Sequence, residues 1–183
     1  MTNKVLICYG TRYGSTAEVA QDMGKTVREL GTQVDVIHLE KGTPFPEPEG
    51  YDLVIIGSGI RMGEWTKEPL EFIKQKLESL SKTKVALFVV SGYAGNPDKV
   101  AEAQAEYLDS MPTKYPGLSP ISTALIGGVF QFNRYNLAIR ALVKNIIKDQ
   151  MTPGEKLPEK LDFRNWDMIH DWIKGLVEGL QES

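Results

Sequence analysis

Five short runs of aliphatic and β-branched residues recur along the chain, and between them lie stretches whose apolar residues keep a helical spacing. The runs are VLICY (5–9), VDVIHL (34–39), LVIIG (53–57), VALFVV (85–90) and TALIGG (123–128). Most are continuously apolar, as expected of strands covered on both faces. After the first run, Ala20, Met23, Val27 and Leu30 share one helical face, and Gly31 is placed to end that helix. Further helices are expected to begin near Lys67, Asp98, Tyr135 and Trp166, the last carrying Trp166, Ile169, Ile173, Leu176 and Leu180 at three- and four-residue spacing. Such alternation implies right-handed crossovers and a parallel sheet between two helical layers. Residues 1–183 are expected to make one α/β domain, a length that buries a full core.

Composition removes several classes of function. Hydrophobic residues make up 42% and charged residues 25%, ordinary globular values, and no apolar run approaches the roughly 18 residues of a membrane span. The first residues enter a strand without a signal-like segment, so the cytoplasm is the expected location. A lone Cys8 and two distant histidines, His38 and His170, offer neither a disulfide nor a metal cluster. A net charge of −3 gives no general field for nucleic acid. The proline-rich stretches GTPFPEPEG (42–50) and MPTKYPGLSP (111–120) read as surface connections. MTPGEKLPEKLDFRNW (151–166) reads as either a long loop or an ordered flap.

The turn after the first run is YGTRYGST (9–16). A turn that opens a helix at a strand's carboxyl end aims several unpaired amides at one point, and the helix dipole favours an anion there. Gly10 and Gly14 allow a tight turn, while Thr11, Ser15 and Thr16 offer hydroxyls to phosphate oxygens. The plainer alternative is that Ser15 or Thr16 caps the helix. A P-loop is excluded because no lysine precedes Ser15 or Thr16, and GTRYG lacks the dinucleotide spacing GxGxxG. A low-molecular-weight tyrosine phosphatase would need arginine where this chain has Gly14, so Cys8 is read as a core residue.

Ligands of open parallel sheets bind beyond the strands' carboxyl ends, where the strand order reverses. Two more segments end there: GSGIRMGEW (57–65) and SGYAGN (91–96). Their small residues admit main-chain contact with a planar ring, and Trp65 and Tyr93 are candidates to stack on its faces. A flat ligand with a phosphate tail suits the three loops together.

The pattern resembles the flavodoxin-like proteins, whose phosphate loop [ST]-x-[TS]-G-x-T is similar to Thr11, Arg12, Tyr13, Gly14, Ser15 and Thr16, with Tyr13 as the departure. The resemblance implies a three-layer α/β/α fold with a five-stranded parallel sheet in the order 2-1-3-4-5, and FMN as cofactor. It implies flavin contacts from Ser58, Gly59, Ile60, Arg61, Met62, Gly63 and Trp65, and from Ser91, Gly92, Tyr93, Ala94 and Gly95. Within that superfamily the chain is similar to the menaquinone-dependent protoporphyrinogen IX dehydrogenase type. The Thr11–Arg12 pair, the GSGIRMGEW segment and GGVFQFNRYNLAIRALVKNIIK (127–148) carry this likeness. Gly59 and Gln131 depart from it, standing where that type is expected to have a serine and a basic residue.

The resemblance implies an FMN-dependent oxidoreductase that takes electrons from a porphyrinogen and passes them to a quinone. The alternatives are an electron carrier serving partner redox proteins, and a binding module that keeps the fold without flavin. Carriers commonly dock through acidic surfaces, whereas the loop segments here include Arg12, Arg61 and Arg134, which favours a small-molecule or quinone partner. Arg61 is a candidate to steady negative charge on the flavin or on a substrate carboxylate. The stretch from Tyr135 to Lys148 sets Arg140, Lys144 and Lys148 beside Ile139, Leu142, Val143 and Ile146, a pattern open to peripheral membrane contact or to ordinary packing on the sheet.

Overall fold

The computed structural model describes residues 3–134, 136–148, 151–154, 156 and 159–182, with the backbone alone at positions 134, 139, 142, 143, 146 and 147. Tyr135 and the side chains of Arg134, Ile139, Leu142, Val143 and Ile146 therefore lie outside the described residues.

The five apolar runs form one parallel sheet. Strand β1 (Lys4–Gly10) lies between β2 (Gln33–His38) and β3 (Leu53–Arg61); a short β4 (Glu64–Trp65) folds back on β3, and β5 (Lys84–Ser91) and β6 (Pro120–Gly127) complete the sheet. Counting the five parallel strands alone, the order is 2-1-3-4-5, as expected. Register aligns their carboxyl ends: Gly10 pairs with Ser58, Gly59 with Val90, and Ser91 with Gly127. The order reverses between β1 and β3, so the loops leaving them diverge and open a crevice.

Successive residues of each strand feed opposite cores. Val5, Ile7, Ile55 and Phe88 pack under helices α1 (Ser15–Glu29) and α6 (Trp166–Gln181), with Met23 and Ile173. Leu6, Cys8, Val54, Ile56 and Leu87 pack under α2 (Lys67–Leu80) with Phe72. Period-two alternation between two buried faces is why the runs read as continuously apolar. Phe72 alone, fully buried, contributes about 2–3 kcal/mol by area. Cys8 is a core residue, and burial pushes its thiol far up.

Three expectations change. β3 does not stop at Gly57 but runs to Arg61 and turns back through Met62 and Gly63, whose φ angles are 51° and 82°. Residues 58–65 are therefore a hairpin rather than a loop, because Ile60 pairs with Trp65 and Arg61 with Glu64. The third helix is broken into α3 (Val100–Gln104), a π-helical stretch (Ala105–Asp109) and α4 (Met111–Lys114). With it, 111–120 is more than a surface connection, since Met111 and Leu118 are each only 1% exposed. In the 151–166 segment β8 (Lys160–Asp162) pairs antiparallel with β7 (Val129–Gln131), a separate two-stranded ribbon that follows β6 in the chain. The fifth helix, α5, covers Leu137–Ile147.

Candidate functional site

The YGTRYGST turn is organised by its own backbone. Gly14 is the N-cap of α1 at φ 96°, a left-handed conformation that favours glycine, and its amide donates to Thr11 Oγ1 at 3.0 Å. No side chain caps α1, so neither Ser15 nor Thr16 has the capping role. The first in-helix bond is from Glu18 N to Gly14 O at 3.1 Å, which leaves the amides of Ser15, Thr16 and Ala17 with no carbonyl one turn back. Thr16 is fully buried and its Oγ1 has no hydrogen-bond partner. A Cβ placed on Gly59 would lie 3.0 Å from that oxygen, so glycine is what keeps the space beside it open. A buried hydroxyl without a partner is destabilising on its own, and a phosphate oxygen beside the first-turn amides would satisfy it.

This cradle is one end of a cavity of about 550 Å³ at the carboxyl edge of the sheet, within the range of ligand pockets. Thr11, Arg12, Tyr13, Ser15 and Thr16 line that end, with Arg12 and Tyr13 exposed on the rim. Gly59, Ile60, Arg61, Met62 and Gly63 line the hairpin side, and Ser91, Gly92 and Tyr93 a third side. Met62, 79% exposed, stands at the hairpin tip, and Arg61 Nε is buried without a partner.

Gly14, Ser58, Trp65, Ala94 and Gly95 are not among the lining residues. Ser58 instead braces the hairpin: its Oγ accepts from Thr66 N at 2.8 Å and lies 2.9 Å from Thr66 Oγ1. Trp65 is a packing residue, buried in the α2-side core with its indole N–H donating to Tyr107 O at 2.8 Å. Ser91 Oγ accepts from Tyr93 N at 3.2 Å and shapes the short 3₁₀ turn Gly92–Gly95. His38 stacks on Tyr9 at 5.1 Å, and His170 Nε2 lies 2.6 Å from Asp22; neither lines the cavity. Among the described residues no group of histidine, cysteine and carboxylates is arranged to hold a metal.

Sequence reasoning missed the opposite wall. Lys99 at the N-cap of α3, Glu102 within it, and Glu106 and Tyr107 in its π-helical continuation line the cavity, with Phe130 from β7. Lys99 Nζ pairs with Glu102 at 2.8 Å. Burial, then the nearby Glu106 carboxylate, pushes the Tyr107 hydroxyl up to about 12. The spacing of Glu102 and Glu106, one helical turn apart, was the available signal, but the same spacing marks any solvated helix face. Phe130 meets Phe163 edge-on at 5.8 Å, holding the ribbon against the cavity.

A parallel sheet of this order, with an amide-and-hydroxyl cradle at its switch point, defines a doubly wound protein built for a phosphorylated ligand. The chain belongs to the flavodoxin domain family, whose model matches residues 6–156. It is 29% identical over 177 residues to the protoporphyrinogen IX dehydrogenase [quinone] of Escherichia coli K12, covering 95% of this chain and 94% of that one. The enzyme of the same name from Leishmania major is 28% identical over 171 residues, 91% of this chain and 71% of the relative. Among solved structures, oxidised Flavodoxin 2 from Bacillus cereus superposes with a TM-score of 0.54 at 17% identity and 98% coverage of both chains, a likeness of fold.

Proposed function

We propose that the chain is an FMN-dependent oxidoreductase that oxidises a porphyrinogen and passes the electrons to a quinone. The observation that carries the flavin part is the fully buried, partnerless hydroxyl of Thr16 beside the open amides of α1. Bound FMN would supply the redox chemistry. Thr11, Ser15, Thr16 and the first-turn amides would hold its phosphate, and the segments Gly59–Gly63 and Ser91–Tyr93 would border its ring. Arg61, whose Nε lacks a protein partner, is available to a developing negative charge or a substrate carboxylate. Tyr107, driven to stay protonated, is a neutral wall rather than a base near neutral pH.

The choice of porphyrinogen and quinone rests on the two relatives' shared name and on the length of the match. A carrier docking other proteins is disfavoured by the rim, where Arg12, Arg61 and Lys99 alternate with Glu102 and Glu106 instead of forming one acidic surface. We place the protein in the cytoplasm as one flavodoxin-like unit of residues 1–183. None of its described helices is long and apolar enough to cross a membrane. Peripheral contact with anionic lipid would use α5, where Leu137 is 82% exposed and Lys144 is also exposed, together with the exposed Lys148 just beyond it. Arg140 is tied differently from those lysines, since its Nε donates to Phe132 O at 2.6 Å.

The test is anaerobic incubation of the FMN-loaded protein with protoporphyrinogen, with and without a menaquinone analogue. Bleaching of the visible flavin absorbance followed by quinone-dependent recovery is expected; a flavin reduced only by protein donors would replace this reading with the carrier.

A further inference from the structure

We infer that Arg164 is a positioning residue for the phosphate cradle: it holds the Glu18 carboxylate in the first turn of α1 against the β7–β8 ribbon, and so lets that helix end accept a dianion. The inference rests on the flavin reading above. Arg164 comes from the segment beyond residue 156, where the family match ends, so it is a feature of this chain's carboxyl-terminal part. Its side chain is only 4% exposed. Nε donates to Asp162 Oδ1 at 2.9 Å, Nη2 to Asp162 Oδ2 at 2.6 Å and Nη1 to Glu18 Oε2 at 2.5 Å, while the guanidinium lies 4.7 Å over the Trp166 ring. The hydrogen bonds to Arg164 hold the Asp162 carboxyl below its usual range.

The consequence is electrostatic. Glu18 is the acidic residue of the first turn of α1, outside the cavity lining but on the helix end whose amides the phosphate would approach. A carboxylate there competes with an incoming anion for the same dipole and amides. Arg164 offsets it through the single Nη1 contact: the guanidinium is itself buried and held in place by its bidentate bond to Asp162, while the Glu18 side chain stays 60% exposed. Without the Arg164 side chain Glu18 loses this cation, and Asp162 keeps the amide of residue 164 on its Oδ1. The loss would then fall on the phosphate and not on the ring.

The experiment is to titrate FMN and riboflavin separately into the flavin-free protein, comparing wild type with Arg164→Met, Glu18→Gln and the double variant, and to record each protein's melting temperature. Arg164→Met is expected to weaken FMN by about tenfold and riboflavin by less than about twofold. Adding Glu18→Gln should recover most of the FMN loss, and raising the salt should narrow it. Arg164→Lys, which keeps the charge without the fork, serves if the Met variant does not fold; it should hold the FMN-to-riboflavin ratio near wild type. Equal weakening of both flavins, no recovery in the double variant, or a collapsed ratio in Arg164→Lys overturns the inference while leaving the flavin site standing. A wild-type protein that holds FMN no more tightly than riboflavin, or holds neither, overturns the flavin reading and this inference together.

Discussion

The two walls of the cavity are made of different material. One, from the β1–α1 turn and the end of β3, presents amides, hydroxyls and the bare Cα of Gly59. The other, from α3, its π-helical continuation and β7, presents the long side chains of Lys99, Glu106, Tyr107 and Phe130. The first is fixed by sheet register, which aligns Gly10, Ser58, Gly59 and Val90 at one edge. The second is fixed by packing between segments far apart in the chain. On the proposed function, the main-chain wall would meet the invariant phosphate of the cofactor and the side-chain wall would meet the redox partner.

The side-chain wall packs closely on Gly92 of the third side, and this is where the comparison is most easily broken. A Cβ there would lie 2.2 Å from the Phe130 ring, which is itself wedged against Phe163. Gly92→Ala should destabilise the fold by about 2–3 kcal/mol, read as a lower melting temperature in the flavin-free protein. An unchanged melting temperature would show that Phe130 yields freely and that the second wall is soft.

Alkali should loosen the side-chain wall by somewhat less. Tyr107 is raised from 10.0 to about 12, chiefly by burial. Between those values the folded chain keeps a proton that the unfolded chain has released, so the contribution is whole below pH 10 and is lost as the pH rises through 12. The full loss is on the order of 2 kcal/mol. Denaturation midpoints followed through this window should fall more steeply for wild type than for Tyr107→Phe; parallel slopes would mean the hydroxyl is as well solvated as in the unfolded chain.

The same division explains what could be read from the sequence. Most strands were legible because they feed two cores and therefore read as unbroken apolar runs, while their order came with the family resemblance. The cradle was legible because Gly14, Ser15 and Thr16 act within one turn. The β3–β4 hairpin was not, since Met62 and Gly63 occupy a position that asparagine or aspartate with glycine would have announced, and Met62 takes φ 51° there. Trp65 was read as a ring neighbour because its partner, the Tyr107 carbonyl, is 42 residues away. The ribbon stayed hidden because β7 and β8 have three residues each, too few to show a period.

Thr16 gives the smallest effect on stability and the sharpest separation of the walls. Its hydroxyl is buried without a partner, so the flavin-free fold gains nothing from it and carries its desolvation. Thr16→Val keeps the shape and removes the oxygen, and should stabilise the flavin-free protein by about 1 kcal/mol. If the oxygen serves the phosphate, the same change should weaken FMN by about tenfold and leave riboflavin nearly unaffected. No change confined to Glu102 or Glu106 should show these opposite signs, because those exposed carboxylates are already satisfied in the absence of ligand by water or, for Glu102, by Lys99. A Thr16→Val protein that is less stable than wild type would place a partner on that hydroxyl before any ligand arrives, and the main-chain wall would then be a finished surface and not a receptor.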